Sequence, residues 1–161
     1  MKIILDIIQH ELSLEDGQCL IYNQKWDIPA DRRLYITAEY SGQRTIASVR
    51  REIATADGIA ESQTLHSLAM VSVDLVSRGN AARTAKDLVM LALNSTYSQQ
   101  MQERHGFKIA RHSTQCSNVS EAEGTAMLDR YSISFNITYM TETRKPIGHY
   151  GIFGRETMTE E

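Results

Sequence analysis

Arg44, Arg50 and Arg51 stand close together in a stretch that is otherwise rich in β-branched residues and holds no lysine. A guanidinium fork fits phosphate, and it fits a carboxylate across a protein interface equally well. Arginines on an exposed edge strand also deter aggregation, so the stretch suits either a contact surface or a solvated edge. Glu121 and Glu123, two residues apart in a polar segment, could hold a cation, but the Asp/Asn/Gly ladder of a calcium loop is missing around them. They read as carboxylates of a solvated loop.

Other chemistries find less support. Nucleophilic catalysis needs a base within reach, often at a turn such as GxSxG, and no such motif occurs. The five histidines, His10, His66, His105, His112 and His149, lack the spacing of metal ligands on a helix. A fold could still bring His66 and His112 together from two strands. The glycines of residues 148–154 lack the lysine of a phosphate loop. Cys19 and Cys116 form no CxxC and are expected to be free thiols in a reducing compartment. No metal and no cofactor is expected. Tyr35, Tyr40, Tyr131 and Tyr139 fit core and cross-strand packing better than a stacking platform.

The formal charge of the 161-residue chain is −3, with scattered arginines and no basic block, which argues against direct reading of nucleic acid. The apolar N-terminal run is interrupted by Asp6 and followed by Gln9, His10 and Glu11 where a signal-peptide cleavage site would begin. No segment has the length of a membrane span. A soluble cytoplasmic protein without a membrane partner is expected.

The elements that must position these residues follow from periodicity. Ile3, Ile4, Ile7, Ile8 and Leu12 recur at helical spacing and predict a helix over residues 1–14. A short extended piece over 19–22 and a loop at Pro29 and Asp31 come next. Leu34, Ile36, Ala38 and Tyr40 alternate with Tyr35, Thr37 and Glu39 as in a strand. Residues 44–53 read as an exposed, projecting extension ended by Asp57-Gly58. Residues 65–77 form a strand with Ala69, Val71, Val73 and Leu75 on one face.

Asn80 stands where a helix N-cap belongs, with its side chain as the expected acceptor. Ala81, Ala85, Leu88 and Ala92 continue as an amphipathic helix. Tyr97 and Met101 keep that spacing until Gly106, so the helix continues to there or restarts as a second short one. Residues 107–112 return to strand, 113–129 read as a long polar loop, and Tyr131, Ile133, Phe135, Ile137 and Tyr139 alternate as a strand. The fold class is therefore α+β, a mainly antiparallel sheet with helices packed on one face. Residues 1–141 form one domain, and 142–161 a tail ordered against a partner. The extension and the polar loop are expected to be mobile in a free subunit.

Over residues 34–141 the chain resembles the tail terminator, or neck, proteins of long-tailed bacteriophages. The match lies in an arrangement: the strand Leu34-Tyr-Ile-Thr-Ala-Glu-Tyr40, a basic excursion, and a strand running straight into Gly79-Asn-Ala-Ala and its helix. The strand Phe107-Lys-Ile-Ala-Arg111, a long loop and Asp129-Arg-Tyr-Ser-Ile-Ser-Phe-Asn-Ile-Thr-Tyr139 complete it. The resemblance implies a structural, non-enzymatic virion protein, assembled in the host cytoplasm. Six copies would form a ring that caps the tail tube, ends its polymerisation and meets the head connector, with DNA passing through the lumen. Its partners would be the tube protein, the sheath protein and a head completion protein. Arg44, Arg50 and Arg51 would then meet carboxylates such as Glu121 or Glu123 on a neighbouring copy. A head–tail adaptor or tail-completion protein fits the same physics, and an enzyme whose site assembles from loops would show itself by a deep pocket with buried carboxylates.

Overall fold

Three helices lie against one side of a sheet whose central strand is apolar on that side. The computed structural model describes residues 1–21, 28–56, 58–123 and 126–147, with the side chains of 111–113, 121–123, 126 and 127 left outside that description. The order is α1 (Lys2–Leu12), β1 (Cys19–Ile21), β2 (Tyr35–Thr55), β3 (Gly58–Ser77), α2 (Ala81–Leu93), α3 (Thr96–His105), β4 (Phe107–Asn118), β5 (Glu121–Glu123) and β6 (Ala126–Pro146). In the sheet the strands run β1-β2-β3-β6-β4, with β5 folded onto the start of β6. All pairings are antiparallel except β1 with β2. The chain is thus an α+β protein with a mainly antiparallel sheet.

Alternation places the core as the sequence requires. Ala69, Val71, Val73 and Leu75 are fully buried on β3, facing Ile4, Leu5 and Ile8 of α1 and Ala82, Ala85 and Val89 of α2 in one cluster. Register sets Val71 opposite Phe135 and Val73 opposite Ile133, which extends the apolar face across β6. Each of the valine, leucine, isoleucine and phenylalanine side chains contributes about 1.5–3 kcal/mol by leaving water. Helix α3 joins through Ser98, its only buried residue, and through the ring of Tyr97, stacked on His10 of α1 at 3.9 Å.

Helix α2 corrects two expectations. Its start is at Asn80 as expected, but the Asn80 side chain makes no capping bond. The hydroxyl of Ser77 accepts the Ala82 N–H instead, at 3.1 Å, because β3 runs directly into the helix and leaves that side chain over the first turn. The buried stripe is Ala82, Ala85, Val89, Ala92 and Leu93, while Leu88 is 51% exposed. The helix is rotated so that its small residues meet the sheet, which lets the backbones approach closely.

The strands are longer than periodicity predicts. Strand β2 runs unbroken through the arginine stretch to Thr55 and pairs with β3 along its whole length, with bulges between Tyr40 and Gly42 and between Thr45 and Ala47. The supposed polar loop is largely strand: β4 continues to Asn118 and β5 pairs with β6 at Glu121↔Leu128 and Glu123↔Ala126. Strand β6 passes the expected boundary at 141 and reaches Pro146, where the Ile147 N–H donates to the Ile59 carbonyl at 2.9 Å. Hydrogen-bonding to β3 replaces apolar patterning as the cause of order there, and composition does not reveal it. The remainder of the expected tail, with its glycine cluster and His149, lies outside the described residues.

Candidate functional site

Where β2, β3 and β6 leave the helix layer they continue as a three-stranded arm. The core cluster takes no residue from 41–68 or from 140–147. From Leu68 to Gly58 the arm extends roughly 33 Å at about 3.3 Å per residue. Polar contacts within and between its strands hold it. Arg50 meets Glu61 at 2.6 Å, and Glu142 accepts from the Ser62 hydroxyl and from Arg144, each at 2.8 Å. Gln63 donates to Glu61 as well. The Arg144 guanidinium and the Ser62 hydroxyl hold the Glu142 carboxyl below its ordinary 4.5. Such exposed pairs are screened by solvent and add little to stability.

Arg44, Arg50 and Arg51 all lie on this arm and are exposed, opposite Leu68, Gln63 and Ser62. Among the described residues, Arg44 and Arg51 enter no ion pair. Glu121 and Glu123 sit at the other end of β6, beside Leu128 and Ala126. The ladder sets Arg44 level with Thr138, Arg50 with Thr143 and Arg51 with Arg144, so roughly 33 to 60 Å of β6 separates arginines from glutamates within one chain. The fold does not bring the two candidate groups together.

Nor does the ladder join the candidate histidines. His66 pairs with Met140, beyond the Phe107 end of β4, and β6 lies between its strand and that of His112, whose side chain is not described. Among the described residues no three His, Cys, Asp or Glu side chains gather. Asp74 and Asp129 are buried, but Asp74 is paired with Arg130 and Asp129 lies 3.6 Å from Arg83, beside the start of α2.

Two grooves flank the helix layer. The wider, about 880 Å3, opens at the root of the arm between α3 and the strands, and is lined by Ile46, His66, Gln102, Phe107, Tyr139 and Met140 among others. Its one carboxylate, Glu103, is exposed. The narrower, about 600 Å3, lies between the C-terminal end of α1 and the outer face of α2, lined by Glu11, Leu12, Leu14, Leu34, Leu88 and Leu91. Leu91 is 67% exposed. Tyr40 is also exposed, outside the core, although it pairs with Val71 across the strands. The other three tyrosines are buried or packed against the core. Helical spacing alone hid the α1–α2 groove, because it counted Leu88 as a core residue.

On the face without helices, hydroxyls form a row: Ser41 Oγ lies 2.9 Å from Ser72 Oγ, which lies 3.2 Å from Ser134 Oγ. Burial of the Cys19 thiol, with Asp6 nearby, pushes its pKa up to about 11, so it stays protonated at neutral pH. No helix among the described residues is long and apolar enough to cross a membrane. Comparison of the chain with protein-family models gives no match, and comparison with curated proteins gives none.

Proposed function

We propose that this chain is a structural neck protein of a long-tailed bacteriophage, a tail terminator. Six copies close into a ring on the finished tail tube, stop its growth, and offer their outer side to the head connector. The observation that carries this reading is the arm: three strands projecting some 33 Å from the body, none of whose described residues belongs to the core cluster. Strands so poorly covered suit contact with other proteins, because a free sheet of this size gains little by itself.

A ring repeats each weak contact around a closed circle, so that avidity replaces individual affinity. A lumen that passes DNA must not hold phosphates, and the neutral hydroxyl row on the sheet face without helices meets that need. The test mixes purified protein with its cognate tube subunits during assembly. Tubes should stop at a defined length with a ring on one end. Unlimited growth with no ring bound would end this reading.

A further inference from the structure

The narrow groove and the arm lie at opposite ends of α1. Leu12 and Leu14 border the groove at the C-terminal end of that helix, whereas Met1 and Ile3 at its N-terminal end share a recess with Tyr40 and Met140, where the arm departs. Eleven residues of helix put about 16 Å between the two ends at about 1.5 Å per residue. Strand β2 starts beside Leu34, at the groove, and runs away from it into the arm. The arm therefore cannot cover Leu88 and Leu91 of its own chain, and the two surfaces can meet only between copies.

Their chemistry matches. Ile46, 57% exposed, stands at the bulge between Thr45 and Ala47, where the irregular ladder re-aims a side chain. Residues 41–51 carry three arginines and no carboxylate, whereas residues 1–16 carry one lysine against four carboxylates. Glu11, Glu15 and Asp16 are exposed around the groove end of α1. Glu15 already holds Arg33 at 2.6 Å, while Glu11, 3.8 Å from His10, and Asp16, which accepts from the Gln9 amide, are the exposed carboxylates that face incoming Arg44 and Arg51, Arg50 being held by Glu61. We propose that the arm root of one copy, residues 43–51 with Ile46 as anchor, seats in the α1–α2 groove of a second copy.

Such a contact is heterologous: one surface of each copy meets a different surface of the next, which closes into a ring when the rotation between copies permits. A strip about 30 Å long and about 10 Å wide is less than half of the roughly 800 Å2 per partner in a standard interface. A single contact is weak, and closure, which holds every copy on both sides, stabilises the assembly. The proposal rests on the self-association in the ring reading, but not on the claim that the ring caps a tail.

The test uses cysteine pairs in the full chain, with Cys116→Ser to remove the exposed thiol. One preparation carries Ile46→Cys and another Leu91→Cys. Mixed at about 1 mM chain, a concentration that populates even weak contacts, and then oxidised, they should give a disulfide-linked dimer that neither preparation gives alone. Absence of that dimer, or equal yields from the unmixed preparations, overturns the proposal. In otherwise wild-type protein, Leu91→Glu and Ile46→Glu should each abolish concentration-dependent association while leaving the melting temperature unchanged, since both side chains are exposed. Wild-type association by a folded Leu91→Glu variant overturns it too. Cross-linking without arrest of tube growth leaves this contact standing and removes the tail-terminator reading. Arrest of growth by a cysteine pair that forms no cross-link on the tube end removes this contact instead.

Discussion

Phe135 and Leu88 both look like core residues in the sequence, and the structure separates them. Phe135 is 1% exposed on β6, opposite Val71 and facing the helices, whereas Leu88 lines an open groove. Truncating Phe135 to alanine gives up the roughly 1.5–3 kcal/mol that the ring gains by leaving water and leaves a cavity that adds to the cost. Measured core truncations of phenylalanine cost about 3–5 kcal/mol in all. Leu88→Ala removes three carbons that are only half withdrawn from water and leaves no closed cavity, so its cost is about 1 kcal/mol. Equilibrium urea unfolding checks both, read at unchanged slope, since a changed slope would mean a changed denatured state. With total stability in the range of about 5–15 kcal/mol, Phe135→Ala could leave little folded protein, and Phe135→Leu then serves, with a cost near 1–1.5 kcal/mol. A Leu88→Ala penalty equal to that of Phe135→Ala would refute the rotation of α2 described above.

Two further outcomes follow from the local chemistry. Ser77→Ala should lower stability by about 1 kcal/mol, as the loss of an N-cap does, while Asn80→Ala should cost less than half of that in the same thermal melts. Equal penalties would return the capping role to Asn80. Stability should also fall at both ends of the pH scale. The folded Cys19 thiol titrates near 11 against an ordinary 9.0, so between those values the unfolded chain ionises first and stability drops as pH rises. Cys19→Ala should flatten that slope. Glu142 works in the opposite sense. Its lowered folded pKa gives the arm support that is complete above 4.5 and is lost as pH falls through the folded value, visible as faster amide exchange in residues 60–64.

The residue pattern by itself determined the helices, the sheet face and the fold class. Alternation over Ala69, Val71, Val73 and Leu75 and over Ile133, Phe135 and Ile137 leaves only one packing for those strands, because a shift of one residue would turn every apolar side chain to water. Gly106 marks the end of α3 by chemistry that is local to the chain, a left-handed backbone that glycine adopts without strain. The rotation of α2 and the length of the strands were decided by the tertiary structure. Helical spacing gives a stripe wide enough to hold both Leu88 and Val89, and only the sheet's demand for close approach selects Val89. Strand order in the arm comes from the backbone of β3, which pairs with β2 on one side and β6 on the other whatever side chains they carry. The same cause set Arg44, Arg50 and Arg51 on a projecting sheet, far from Glu121 and Glu123, since distance along a strand is fixed by register and not by charge.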